Sequence, residues 1–340
     1  MTANEPRSHD VRLSRDEIAR IISVVADSAH LPNRFLATSE TDLISLCVTD
    51  VIETLEKDAG AVHSSRPDES SAGLLVSASL PWESRILGRR MSSIKHLFPA
   101  GDPPERAERA AEMVGRMAGR AAEDGVEFLL ARTYTDDHAT THAFERSGFM
   151  LVETALDYVY DFTREVAAPQ VSAGGDLLIR RAEPSDADAV IAVARSAFMA
   201  HVGRFHADPE LSADEAATIY QEWLRSSFAG YADAIFLAES GKSIAGFSVW
   251  RDPAKSELAA GLRCAHYSIG GVAPEFRGRG AFRALTVAGM NHYRDRAGLI
   301  HAPITLRNLG VQCAFQALGW QLRDSRYTFH RWLSRDGRPL

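Results

Sequence analysis

One residue pattern occurs twice in this chain. HAFERSGFMLVETALDYVYDF, from His142, runs parallel to CAFQALGWQLRDSRYTFHRWL, from Cys313. Each copy has Ala-Phe, then a glycine backed by an aromatic (Gly148-Phe149 and Gly319-Trp320), then a polar-apolar run ending in aromatics. The pattern predicts a short helix stopped by glycine, followed by a final strand pair. A chain that repeats one supersecondary order is expected to fold as two related units, each with its own core. At 340 residues it is long enough for both.

The break between the copies falls at TREVAAPQVSAGGD, Thr163 to Asp176, which is rich in Ala, Gly, Pro and Ser and has no periodic apolar face. The expected organisation is a tail over 1–20, a first domain over 21–162, a linker over 163–176, a second domain over 177–334 and a tail over 335–340. The net charge of −7 argues against a general nucleic-acid surface. Three cysteines, Cys47, Cys264 and Cys313, match no CxxC spacing, so neither a disulfide framework nor a structural zinc site is expected. No apolar run is long enough for a membrane span, and MTANEPRSHDVRLSRDE has no signal-type core. A cytoplasmic protein, monomer or homodimer, is the expectation.

The second half reads as strand, helix, helix, strands, helix, strand, helix, strand. LLIRR leads to a helix start at Pro184-Ser185-Asp186. LSADEAATIYQEWLRSSF is helical, and AIFLAES and KSIAGFSVW are strands joined at Ser240-Gly241-Lys242. AHYSIGGVAP is the next strand, AFRALTVAGMNHYRDRAG a helix, LIHAPITLRN a strand, VQCAFQALG a helix and SRYTFHRWL the last strand. This is a mixed α/β (α+β) arrangement rather than strict βαβ units.

At the strand-to-helix junction stands PEFRGRGAFRAL, Pro274 to Leu285. A helix N-terminus carries unpaired N–H groups and a partial positive charge, so it attracts anions. Glycine lets the backbone curl round a phosphate without a Cβ in the way. Arg277 and Arg279 add charge and donors. The stretch is not a P-loop, which needs Lys-Ser/Thr after its last glycine, nor GxGxxG, because Arg283 stands at the third glycine. It reads as a pyrophosphate cradle.

VAPEFRGRGAF resembles motif A of the GCN5-related N-acetyltransferases (GNAT), R/Q-x-x-G-x-G/A, which binds the pyrophosphate of acetyl-CoA. The motif starts at Arg277 and meets its first glycine at Gly280; Phe282 replaces the last Gly/Ala. IRRAEPSDADAV, FLAESGKSIAGFSVW and Asn308 followed by Gly319 resemble further parts of that family, from about Leu177 to Leu333. RFHADPELSADEAATIYQEWLRSSF with YTFHRWL, and LPWESRILG in the first half, resemble the dTDP-fucosamine acetyltransferase branch. The resemblance implies two tandem GNAT-like domains, each a mostly antiparallel central sheet flanked by helices. It also implies an acetyl-CoA donor and a small amine acceptor, such as a nucleotide-linked amino sugar. By resemblance, Gly270, Val272, Arg277, Gly278, Arg279, Gly280, Ala281 and Asn308 hold the donor, and the Val272 N–H polarises the acyl carbonyl.

Amide formation also needs a base near neutrality, for which histidine is suited. A period of two puts His266, Ser268, Gly270 and Val272 on one strand face. His266 is the candidate base, directly or through water, with Ser268 as a relay; a packed strand histidine is the alternative. The family's acid is a Tyr where this chain has Phe315, so Tyr327, Cys313 or solvent must protonate the leaving thiolate. Arg204, His206, Tyr220 and Trp223 lie in the helical region expected beside the acceptor, where Arg204 could hold an anionic group and Trp223 could stack. No metal is required.

The first half repeats the order but not the cradle. PAGDPPERAERAAEMVGRM comes after its strand, and Asp102 and Glu105 near the helix start would repel a pyrophosphate. It is expected to be degenerate, leaving one CoA per chain. Two other readings keep the fold: a carrier-protein thioester or aminoacyl-tRNA donor, and a CoA-binding scaffold without catalysis.

Overall fold

The computed structural model describes residues 14–25, 31–36, 39–57, 62–65, 73–164, 177–198 and 203–333. Most of the expected linker, residues 1–13 and the tail over 335–340 lie outside the described residues. The chain forms two compact units, one of residues up to 153 together with those from 326 onward, the other of 154–325.

In order, the first half contains α1 (Arg15–Val25), α2 (Glu40–Lys57), β1 (Val62–Ser65), β2 (Gly73–Ser79), α3 (Pro81–Leu87), β3 (Met91–Phe98), α4 (Pro103–Glu123), β4 (Phe128–Tyr134), α5 (His138–Arg146) and β5 (Met150–Asp161). The second half contains β6 (Leu177–Arg181), α6 (Ala187–Phe198), α7 (Arg204–Ala207), α8 (Ala213–Ser226), β7 (Ala234–Ser240), β8 (Ser243–Arg251), α9 (Lys255–Ala259), β9 (Cys264–Val272), α10 (Ala281–Tyr293), β10 (Leu299–Thr305), α11 (Leu309–Ala317) and β11 (Gln321–Trp332).

The repeated passage folds alike in both halves. Helices α5 and α11 stop before Gly148 and Gly319, which sit at φ 74 and 85. Beyond the glycine each half has a single strand of 12 residues, not the expected pair. The larger departure is where those strands go. In the first unit the sheet runs β1-β2-β3-β4-β11, and Arg326–Trp332 pair antiparallel with β4. In the second it runs β5-β10-β9-β8-β7-β6, and Ala155–Asp161 pair antiparallel with β10. Each half therefore gives its last strand to the other unit, and the division expected at 162/163 is not that of the compact units. The tail expected over 1–20 also needs correction. Helix α1 begins inside it and buries Ile18 and Ile22 against α2 and β2, as its amphipathic spacing requires.

Within each unit neighbouring strands are antiparallel except for one parallel pair, β3 with β4 and β9 with β10. The second core gathers Tyr158, Trp250, Tyr267, Met290, Tyr293 and Phe315, from the sheet and the helices α10 and α11 upon it. The first centres on Leu129, Met113, Phe144 and Phe329, with α4 and α5 packed on the strands. Burying side chains of this size contributes roughly 1.5–3 kcal/mol each, which holds the strands and helix starts in place. No helix among the described residues is long and apolar enough to cross a membrane.

Candidate functional site

In the second unit the parallel pair β9 and β10 is in register from Cys264↔Leu299 to His266↔His301. Beyond that rung β9 continues to Val272 and β10 to Thr305 without pairing to each other. Residues of both lines border a cavity of about 740 Å³, whose walls include Gly270, Val272, Gly278, Arg283, Thr305 and Asn308. Ala273 donates its N–H to the Ala245 carbonyl at 2.9 Å, closing the ladder with β8. By strand alternation the N–H and C=O of Val272 turn the other way, into this opening.

The far end of the opening is the start of α10. Gly278 and Gly280 lie at φ 76 and 80, where a side chain is strained, and Gly280 is the N-cap without a side-chain cap. The first-turn N–H groups of Ala281, Phe282 and Arg283 have no partner within the helix and face the space those residues line. A pyrophosphate fits such a cradle. Arg277 is a cavity wall and also braces the loop. Its Nε and Nη2 donate to the carbonyls of Val272 and Ala197, at 3.3 and 2.9 Å, so it pins the loop to β9 and α6. Arg279 is exposed, lies over the Phe276 ring at 5.4 Å and is not a cavity wall. Arg283 and Arg307, which the sequence pattern does not single out, are walls. Asn308 caps α11 by accepting from the Val311 N–H at 3.4 Å and borders the cavity too. Phe282 both lines the cavity and packs on the core.

The strict period of two expected along β9 does not hold. Val249 pairs with Ile269 and Trp250 with Tyr267, so Ser268 is an extra residue in a bulge. After it the faces exchange: a Cβ on Gly270 would sit 2.2 Å from the Tyr267 hydroxyl. Gly270 therefore shares a face with Tyr267, and Ser268 is not a cavity wall.

His266 stands on the last paired rung, short of the cavity, and is not itself a cavity wall. Its Nε2 lies 2.9 and 3.0 Å from the two carboxylate oxygens of Glu257, a buried residue of the short helix α9. Glu257 is fixed in turn by the Ala254 N–H at 2.6 Å. A neutral imidazole donating from Nε2 to Glu257 leaves Nδ1 with a lone pair to accept a proton. Across the rung, the His301 ring meets the His266 ring edge-on at 5.8 Å, and His301 Nε2 is 2.7 Å from Asp157 of β5, whose side chain is fully buried. Cys264, two residues before His266, is also buried, and burial with Glu257 nearby pushes its thiol far above the usual range.

The remaining expected residues do not converge. Tyr327 belongs to the first unit, pairs opposite Thr133 of β4, packs on that unit's core and is not a wall of the second unit's cavity. Cys313 is exposed and not a wall, while Phe315 is fully buried and stacked on Trp320. Arg204 lies over Phe205, and His206 stacks on Tyr220, where burial pushes its imidazole below the ordinary range. Neither these nor Trp223 line the cavity; this helical region reaches it through Phe198, whose ring is 5.1 Å from Tyr220.

No protein-family model matches the chain. The spore coat polysaccharide biosynthesis protein SpsD of Bacillus subtilis (strain 168) is 23% identical over 276 residues, 78% of this chain and 86% of that protein. The crystal structure of a GCN5-related N-acetyltransferase from Sphaerobacter thermophilus superposes with a TM-score of 0.57 at 12% identity, over 93% of this chain and 91% of that one. A tandem GNAT protein from the clavulanic acid biosynthesis pathway, solved without AcCoA, gives a TM-score of 0.51 at 13% identity, over 94% and 97%. These likenesses show the fold: two GNAT-type domains in tandem.

Proposed function

We propose that this protein is an acyl-CoA-dependent N-acyltransferase, with acetyl-CoA as donor and the amine of a small molecule as acceptor. The observation that carries the reading is local. A parallel strand pair parts at His266 and His301, and the opening ends at an uncapped helix start entered through two left-handed glycines. The first-turn N–H groups of α10 bind the pyrophosphate, with Arg283 beside them. The thioester supplies an acyl group already activated toward an amine. Val272 turns its N–H toward the carbonyl oxygen and takes up developing charge there. His266, oriented by Glu257, accepts the proton of the attacking amine at Nδ1, directly or through a water. The C–N bond forms as the C–S bond breaks, and solvent protonates the departing thiolate, because neither Tyr327 nor Phe315 offers a hydroxyl at this cavity.

For the acceptor, a nucleotide-linked amino sugar is supported by the resemblance of the helical region to the fucosamine branch and by the likeness to a polysaccharide biosynthesis protein. The test is calorimetry with acetyl-CoA, followed by thiol release across a panel of amines that includes amino-sugar nucleotides. One donor per chain and turnover on at least one amine are expected. Binding without turnover on every amine would leave a scaffold, and absence of binding would remove the cradle.

A further inference from the structure

Beside the opening, three chemically different ligands converge: the Cys264 thiol, the His266 imidazole and the Glu257 carboxylate, with ligand atoms all within 4.8 Å of one another. Each is held by the fold. Cys264 and His266 are two apart on β9 before its bulge, so they face the same side, and Cys264 is fully buried. Glu257 is buried and pinned by its hydrogen bond from Ala254. Glu257 is paired with the His266 ring, so an ion entering here would replace that one contact with bonds to all three groups.

We propose that Glu257, Cys264 and His266 form a binding site for a thiophilic divalent ion of the zinc type, and that the ion switches the transferase off. One sulfur, one nitrogen and one oxygen donor select zinc or cobalt over magnesium or calcium, and three protein ligands leave a fourth position for water. The inhibitory half of the proposal rests on His266 as base; the site itself does not. The logic is one of tautomers. With no ion, Nε2–H donates to Glu257 and Nδ1 is free to take a proton. With an ion on Nε2, the ring proton must reside on Nδ1, and the base is gone. Binding displaces the thiol proton of Cys264 into solvent, so charge balances without any redox partner.

The test is titration of the purified full chain with Co²⁺ at constant pH, followed by its thiolate-to-metal absorption, and with Zn²⁺ by calorimetry. One ion per chain is expected, with the band lost in Cys264→Ser and Zn²⁺ affinity lowered tenfold or more, as removal of a ligand should do. Glu257→Gln, which keeps the shape, should weaken Zn²⁺ as well. Cys313→Ser should change nothing. Absence of the band, or a band that survives Cys264→Ser and disappears in Cys313→Ser, overturns the site. If Zn²⁺ binds as described but turnover is undiminished, the site stands and the link to the base falls.

Discussion

The two units open at the same place and hold different chemistry there. In the first, β3 and β4 pair from Met91↔Phe128 to Ile94↔Ala131 and then part; in the second, β9 and β10 part after His266↔His301. Both units carry a histidine bonded to a carboxylate near the point of parting, His96 to Asp50 at 2.7 Å and His266 to Glu257 at 2.9 Å, but His96 lines its cavity and His266 does not line the other. The first holds a cavity of about 130 Å³ and the second one of about 740 Å³. The next helix in each unit separates them. Helix α4 begins with two prolines after Asp102, with Glu105 in its first turn bonded to Arg109, whereas α10 begins after Gly278 and Gly280 with bare N–H groups. Strand divergence thus belongs to the fold, and the first turn of one helix decides what each copy can hold.

The sharpest way to break this contrast is to remove each histidine. His266→Ala should lower kcat by about 10²- to 10⁴-fold while leaving acetyl-CoA affinity intact, as loss of a general base does. His96→Ala should leave turnover where it was. Equal losses from both would mean that the first opening takes part in catalysis. The buried acids give the next largest effect. Asp157→Asn leaves His301 facing a neutral amide at a fully buried site and should cost roughly 3–5 kcal/mol in urea unfolding. Asp50 has a half-exposed side chain, so Asp50→Asn should cost less than about 1 kcal/mol. Similar values for both would show that burial does not set the difference. The smallest effect concerns the helix starts. Gly280→Val forces a branched side chain into a left-handed backbone, a strain of roughly 1–3 kcal/mol, and should weaken acetyl-CoA about tenfold or more by calorimetry. Gly101→Val makes the same substitution before α4, at φ 105, and should leave that affinity unchanged.

Much of the second unit was legible because its signals are local. The glycines of the cradle, the turn at Gly241 and the helix start at Pro184-Ser185-Asp186 each declare themselves within a few residues. The illegible features depend on partners far away in sequence. A strand such as β11 has the same alternation whichever sheet it joins, so nothing in SRYTFHRWL revealed that Tyr327 lies in the other unit. The bulge at Ser268 is defined by its pairing with β8 and leaves no mark of its own. Glu257 sits on a helix of five residues with no motif around it, and Asp157 reaches His301 only through β5. Neither acid behind the histidines carries a local signal that could have found it.

The exchanged strands also set an order in time. Synthesis delivers residue 153 early, yet the sheet of that unit lacks its β11 edge until Arg326–Trp332 have left the ribosome. Neither half of the chain supplies every strand of one unit, so the two halves are not separable as complete units. A cut or recombination at the middle of the chain would strip an edge from both sheets at once.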